Sequence, residues 1–157
     1  MPNVEKLDPA LHDLSAFRCG EHSLDRYLKV HAASNQEEGI STTHVLVESS
    51  KVIGYFTLSA AQLELTQLRE ADRLQLPKHP VPAVRMGRLA IASDEQGRGH
   101  GELLVGYAVT RCLEMRETLG VRVLFVDALP AAESFYLCYG FIPTVENPLT
   151  LYLPLGS

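Results

Sequence analysis

The run with the most pointed chemistry is Gln96-Gly97-Arg98-Gly99-His100-Gly101. Three glycines at alternate positions remove side chains that would block close approach, and they permit backbone angles that other residues avoid. Successive N–H groups can then turn toward one point. Helical periodicity follows directly, so the positive end of a helix dipole adds to them. That combination binds anions, with phosphate or pyrophosphate the natural ligand. Arg98 adds a charge-assisted contact, and His100 lies inside the turn, within reach of the same ligand. Two other phosphate motifs fail. A P-loop ends in Gly-Lys-Ser/Thr, whereas Gly101 is followed by Glu102-Leu103. A dinucleotide fingerprint needs a third glycine at 102 or 104, which are Glu102 and Leu104. On these residues alone, a plain glycine-rich turn entering a helix stays open as the alternative.

Other reactive side chains are scattered. Cys19, Cys112 and Cys138 are far apart and form no CxxC pair. They read as buried or half-buried thiols in a reducing compartment, with no zinc or redox site. Apart from His100, the histidines (His12, His22, His31, His44 and His79) read as surface or loop residues without metal-ligand spacing. Arg85 and Arg88 lie three apart on an expected strand, so they face opposite sides of a sheet. At most one of them points toward a substrate cleft. The alternative for each is an ion pair with a surface carboxylate.

These groups need elements to position them. Val4 to Leu7 reads as a short strand. After Gly20, the spacing of Leu24, Tyr27, Leu28 and Ala32 predicts a helix that Gly39 ends. Its charges, including Glu21, Asp25, Arg26 and Lys29, read as a solvated face. Thr43–Glu48 and Val52–Ser59 are β-branched and aromatic-rich, and Ser49-Ser50-Lys51 between them predicts a hairpin. A short helix is expected over Thr66–Arg73. The prolines of Leu76–Pro82 forbid a regular helix there. Val84–Ile91 reads as a strand leading into the glycine turn. Leu103, Leu104, Tyr107, Ala108, Arg111, Cys112, Met115 and Leu119 predict a long helix after it. Val121–Val126 is apolar enough for a sheet centre. Ala131–Tyr139 reads as a short helix stopped by Gly140, and Leu149–Leu153 as a last strand. The class is α+β, a mixed sheet with helices on both faces.

The 157 residues fit one domain, taken as 1–157. With 14 Lys+Arg against 19 Asp+Glu, the net charge is −5. That excludes a strongly basic nucleic-acid coat but not a local patch. Positive charge gathers in the middle of the chain, where Arg85, Arg88, Arg98, Arg111, Arg116 and Arg122 fall. The N-terminus lacks a basic flank and an apolar core, and no apolar run approaches membrane-spanning length. A cytoplasmic location and no membrane partner are therefore expected.

Three segments together carry a resemblance: Gly87-Arg88-Leu89-Ala90-Ile91, the turn Gln96–Gly101, and Phe135-Tyr136-Leu137-Cys138-Tyr139-Gly140-Phe141. They resemble the GNAT acetyltransferase family, whose fold has a mostly antiparallel central sheet. In that family a Gln/Arg-x-x-Gly-x-Gly/Ala turn holds the pyrophosphate of acetyl-CoA; Gln96, Gly99 and Gly101 match it. The resemblance implies cofactor contacts across Gln96, Gly97, Arg98, Gly99, His100 and Gly101. It also implies pairing of the pantetheine arm with Leu89, Ala90 and Ile91. Further segments, Ala16–Glu21 with Leu24-Asp25-x-Tyr27-Leu28, Gly54–Ser59 and Val126–Leu129, are similar to GNAT toxins of bacterial toxin–antitoxin pairs. Those enzymes acetylate the α-amine of aminoacyl-tRNA and are neutralised by ribbon-helix-helix antitoxins. Unlike such toxins, which are usually basic, this chain is acidic.

Acetyl transfer from a thioester to an amine needs a neutral amine and a proton for the leaving thiolate. An α-amine with a pKa of about 7.7–8.0 needs no strong base near neutral pH. Tyr136 matches the tyrosine of the family's Phe-Tyr-x-x-x-Gly-Phe motif and is the expected acid, with Tyr139 read as packing. Cys138 has no neighbouring base to activate it, so direct transfer is expected over an acyl-enzyme. The implied partners are acetyl-CoA, aminoacyl-tRNA with Arg85 and Arg88 as candidate contacts, an antitoxin, and a second copy of the chain in a homodimer. The competing readings are a metabolic acetyltransferase acting on a small-molecule or protein amine, and a non-catalytic acetyl-CoA-binding module.

Overall fold

The computed structural model describes residues 2–74 and 76–156; Met1, Gln75 and Ser157 lie outside that description. The chain runs β1 (Asn3–Lys6), α1 (His22–Arg26), a π-helical turn (Tyr27–His31), α2 (Ala32–Glu37), β2 (Thr42–Glu48) and β3 (Lys51–Leu63). Then come α3 (Glu70–Arg73), β4 (Val81–Ile91), α4 (His100–Met115), β5 (Val123–Asp127), α5 (Glu133–Cys138), β6 (Ile142–Pro143) and β7 (Thr150–Pro154). The strands form one sheet in the order β1-β2-β3-β4-β5-β7-β6. The pairs β1–β2, β2–β3, β5–β7 and β6–β7 are antiparallel and β4–β5 is parallel. This is the α+β architecture expected from the sequence.

Contacts group into two compact units, Met1–Ser59 with Gly87–Ala108, and Ala60–Met86 with Val109–Ser157. In the first, β2 and β3 form a hairpin from Thr42↔Leu58 to Glu48↔Lys51. Ser49 and Ser50 both take positive φ, the twist that a two-residue hairpin turn requires. The core here gathers Phe17, Tyr27, Leu28, Val45, Val52, Tyr55 and Ala90. Tyr55 donates its hydroxyl to Leu24 O at 2.6 Å, which fixes α1 over the hairpin. Gln36 ties α2 to the strands by donating to Leu7 O and accepting from Thr43 N–H, each at 2.9 Å. Gly39 ends α2 as expected, with φ +74 and the Ile40 N–H reaching back to Asn35 O at 2.8 Å.

In the second unit β5 is the inner strand. Val123, Leu124, Phe125 and Val126 are all buried. It pairs with β4 over Ala83–Met86 and with β7 over its whole length. Leu63, Leu68, Val81, Ala83, Phe125 and Tyr152 share one core. The Tyr152 hydroxyl donates to Asp72 and accepts the Arg69 N–H, pinning α3.

Several boundaries differ from the sequence reading. The helix after Gly20 is interrupted by the π-helical turn Tyr27–His31, which apolar spacing does not reveal. The expected Thr66–Arg73 helix is a 3-10 turn, Leu65–Gln67, and then α3, because Leu68 and Arg69 are extended at the break. α4 stops at Met115 rather than running to Leu119, which is exposed. Its last carbonyls are met by the tight turn Glu117–Leu119. α5 is shorter than Ala131–Tyr139 and is entered through the 3-10 turn Pro130–Ala132. β4 begins at Val81, with Pro82 exposed near the strand's start where its missing N–H does no harm. β3 extends to Leu63, and the two-residue β6 was absent from the reading.

Candidate functional site

The glycine turn forms as its spacing requires. Gly97 has φ +79 and Gly99 φ +82, angles that only glycine adopts without strain. Gly101 is not a third turn residue. It lies in the first turn of α4. Leu103 is the first residue of the helix to donate, to Gly99 O at 3.1 Å. Among the described residues no acceptor meets the amides of 97–102. These unspent donors gather at the positive end of a 16-residue helix. An ideal Cβ at Gly97 or Gly99 would meet nothing within 4 Å. The space over the turn is therefore free for a ligand.

Gln96 does not aim its side chain at that space. Its Nε2 donates to Ile91 O at 2.9 Å and to Cys19 O at 3.0 Å. It thus closes the loop between the end of β4 and the turn and clamps the strap Arg18–Gly20 against it. Ser93 N–H reinforces the strap by donating to Arg18 O at 2.7 Å. The Ile91 carbonyl is thereby occupied, leaving Leu89 and Ala90 with the Ile91 N–H as the strand groups to consider for a pantetheine arm.

Arg98 and His100 converge on one acid. Arg98 Nη1 lies 3.4 Å and His100 Nε2 3.3 Å from Glu95 Oε1. The His100 ring is largely covered, with 14% of its side chain exposed, whereas Arg98 is 62% exposed. Arg98 can leave Glu95 for an anion over the turn; His100 is packed against the turn rather than extended from it.

Arg85 and Arg88 part company. Arg85 Nε pairs with Asp127 Oδ2 at 2.8 Å, and Thr150 donates to the other oxygen of that carboxylate at 2.8 Å. This is the bland alternative for Arg85. Arg88 lays its guanidinium over the ring of Tyr27, 3.6 Å from the centroid. The Tyr27 hydroxyl is held in turn by Ser41 and Asn35.

Tyr136 is buried on α5, edge-on to Phe135 and Phe141 with centroids 5.2 and 5.4 Å away. Its hydroxyl makes no hydrogen bond among the described residues, so it is not a core tyrosine satisfied by a neighbour. Burial pushes its phenol above the ordinary range, which keeps the proton on oxygen. Tyr139 lies past the end of α5, 36% exposed, against Phe135. Cys112 is buried, Cys19 half-buried and Cys138 exposed. Two histidines read as surface residues are buried: His12, whose Nε2 meets Glu5 at 3.0 Å, and His44, stacked on Phe56. Among the described residues no group of three or more His, Cys, Asp or Glu could hold a metal ion. No helix among them is long and apolar enough to cross a membrane.

Sequence reasoning missed the strap and Glu95. Cys19 is 77 residues from Gln96, and only the folded chain brings them together. Glu95, three residues before Arg98, carried a local signal, since opposite charges at that spacing meet within a turn.

Comparison with known proteins adds to this geometry. A family model described as acetyltransferase (GNAT) domain matches residues 11–150. A tRNA-acetylating toxin of Mycobacterium tuberculosis is 34% identical over 142 residues, covering 90% of this chain and 85% of that protein. The solved structure of AtaT complexed with acetyl-methionyl-tRNAfMet superposes with a TM-score of 0.92 at 33% identity, covering 98% of this chain and 95% of the other. A tyrosine-to-phenylalanine mutant of AtaT, bound to the C-terminus of the antitoxin AtaR and acetyl-CoA, gives 0.84 at 33% identity over 99% and 94%.

Proposed function

Because the chain belongs to the GNAT acetyltransferase family, we propose that it uses acetyl-CoA to acetylate the α-amine of an aminoacyl-tRNA, and that it acts as a toxin restrained by an antitoxin protein. The observation that carries this is the likeness along almost the whole chain to AtaT in complex with acetyl-methionyl-tRNAfMet. The turn supports it chemically. Gly97, Gly99 and Gly101 leave the amides of the α4 start open to a pyrophosphate, with Arg98 as the mobile cation. Gln96 and His100 hold the turn in shape rather than reach for the ligand. Leu89, Ala90 and Ile91 are the strand residues assigned to the pantetheine arm.

Acetyl-CoA supplies an activated acyl group on sulfur. The acceptor amine forms the new C–N bond, the C–S bond breaks, and the amine's proton ends on sulfur. Tyr136 is the group of this chain assigned to that proton. Its hydroxyl, without a hydrogen-bond partner among the described residues, stays protonated and is available to hydrogen-bond the leaving thiolate. Arg88 is kept as an acceptor-side contact. Arg85, committed to Asp127, is assigned to hold β4 and β5 together. The chain works as one N-acetyltransferase domain in the cytoplasm, where charged tRNA is found.

The test is transfer of labelled acetyl from acetyl-CoA to bulk aminoacyl-tRNA, followed by ester hydrolysis and identification of the N-acetyl amino acid. Label on an amino acid is the expected result. Label on a polyamine or small amine, with none on aminoacyl-tRNA, would assign the chain to the metabolic acetyltransferases.

A further inference from the structure

The cations of this acidic chain are unevenly committed. Arg85, Arg98 and Arg111 each pair with a carboxylate, on Asp127, Glu95 and Glu114. Arg18, Arg26 and Lys29 pair with none among the described residues. All three are exposed, and all three line one open cleft of about 660 Å³ together with His22, Asp25 and Ser93. The cleft's one acid is turned aside: Asp25 Oδ1 accepts the Cys19 N–H at 2.9 Å. Three cations against one engaged carboxylate leave the cleft positive in a molecule of net charge −5.

Its walls are fixed rather than incidental. Tyr27 and Leu28 are buried in the core at 5% and 1% exposure, which orients Arg26 and Lys29 on either side of them outward. The π-helical turn that begins at Tyr27 alters the rotation per residue, and Arg26 and Lys29 still line the same cleft. Opposite them, Arg18 is anchored through its carbonyl to Ser93 N–H at 2.7 Å, and Cys19 through its carbonyl to Gln96 at 3.0 Å. The cationic cleft is therefore tied by two hydrogen bonds to the residues that open the anion-binding turn.

Such a cleft suits one class of ligand. It is too open to desolvate a small anion, and its three long cationic side chains are exposed. Exposed Lys and Arg are what bind a phosphodiester backbone, where they position without reading sequence. We propose that Arg18, Arg26 and Lys29 grip the ribose-phosphate backbone of the acceptor RNA. This rests on the aminoacyl-tRNA reading and supplies the local patch that an acidic chain needs to hold a polyanion. The same chemistry would accept a phosphate of acetyl-CoA itself, so the test separates the two sources.

The full chain is compared with the triple variant Arg18→Gln, Arg26→Gln, Lys29→Gln. Binding of deacylated tRNA is followed by fluorescence anisotropy over a salt series, acetyl-CoA binding by calorimetry, and acetyl transfer by KM and kcat for aminoacyl-tRNA. The expected result is a KM for aminoacyl-tRNA raised about tenfold or more, and a log–log salt slope shallower by about two to three units. Acetyl-CoA affinity within about twofold of wild type is expected too, and shows that the variant is folded. Wild-type tRNA affinity and slope in the triple variant would overturn the proposal. Lost acetyl-CoA affinity with unchanged tRNA binding would overturn it in favour of a cofactor phosphate. A wild-type chain that acetylates no aminoacyl-tRNA would sink the functional reading beneath it, an outcome visible before any variant is made.

Discussion

Gln96 holds Cys19 across 77 residues of chain: its Nε2 donates to the Cys19 carbonyl at 3.0 Å while also donating to Ile91 O at 2.9 Å. Both amide protons are used, and both go to main-chain oxygens. A side chain so committed shapes the turn and cannot also be the pyrophosphate's ligand. Each such bond contributes about 0.5–1.5 kcal/mol net, toward the low end here because Gln96 is exposed. Gln96→Ala should therefore lower stability by about 1–2 kcal/mol, or a few degrees in Tm. Gln96→Glu should cost more, because an acceptor then faces two acceptors. Thermal melts with acetyl-CoA titrations check this. Weakened cofactor binding with an unchanged Tm would mean that Gln96 touches the ligand directly.

Gly54 is a second point of close approach. A Cβ there would lie 2.8 Å from Ile91 Cδ1 and 3.2 Å from Ala90 O. The first contact can yield by rotation of a side-chain end; the second is backbone. Gly54→Ala should destabilise by about 1–3 kcal/mol, as overpacking usually does. It should also weaken acetyl-CoA binding, since the displaced atoms belong to Ala90 and Ile91. Ile91→Val in the Gly54→Ala background removes the nearer clash and should restore part of the lost stability in a denaturant melt. No restoration would place the strain on the Ala90 carbonyl alone.

Much of this arrangement was legible along the chain. The hairpin Thr42–Glu48 with Lys51–Leu63, the glycine turn and α4 rest on local signals: β-branched runs, adjacent turn residues, helical period. What escaped was set by distant partners. The π-helical turn at Tyr27–His31 leaves no trace in apolar spacing. Pro82 suggested a loop, yet tertiary pairing carries β4 back to Val81. At the site, the spacing of Gly97 and Gly99 foretold their positive φ, whereas the engagement of Gln96 with Cys19 and of Arg98 with Glu95 depended on where side chains point. His44 and His12 read as surface residues because polarity alone does not show that Phe56 or Glu5 will receive them.

The cysteines should differ sharply in reactivity. Burial, with the Asp25 carboxylate beside it, pushes the Cys19 thiol up to about 11, and burial alone does the same to Cys112. Thiolate is the reactive form, so both should be nearly inert at neutral pH. Exposed Cys138 should be alkylated first. Mass spectrometry after brief iodoacetamide treatment of the native protein reads the order. Cys138→Ala should keep most activity, and chelators should not inhibit. An acetyl group trapped on Cys138 during turnover would replace direct transfer with an acyl-enzyme.

Gly99 separates a backbone requirement from a packing one. Nothing lies within 4 Å of its ideal Cβ, so a side chain finds room in the free protein, but φ +82 strains any residue other than glycine. That strain costs of order 1–3 kcal/mol, which a domain of this size survives. Gly99→Glu adds a negative charge where the amides await an anion. It should abolish acetyl-CoA binding in calorimetry while the circular dichroism spectrum stays native. Unchanged affinity would remove the turn from the site.

Tyr136 carries the sharpest test of mechanism. Burial holds its phenol above the usual range, so the hydroxyl stays protonated through the physiological window and cannot serve as a base. It is also a weaker acid than a thiol, whose ordinary pKa is about 8.5. Outright donation to sulfur is uphill. The favourable role is a hydrogen bond to the developing thiolate, with the phenol's proton replaced by the one released from the amine. Tyr136→Phe keeps the ring against Phe135 and Phe141 and removes only the hydroxyl. Because that hydroxyl has no partner among the described residues, its loss strands no other buried group, and Tm should change little. The kcat should fall by about 10²–10⁴, the usual scale for a positioned proton donor, with acetyl-CoA affinity unchanged. Tyr139→Phe, at the exposed end of α5, should cost little. A dead Tyr139→Phe beside a near-native Tyr136→Phe would move the role three residues along the chain. Activity in both would give the proton to water and leave Tyr136 as packing.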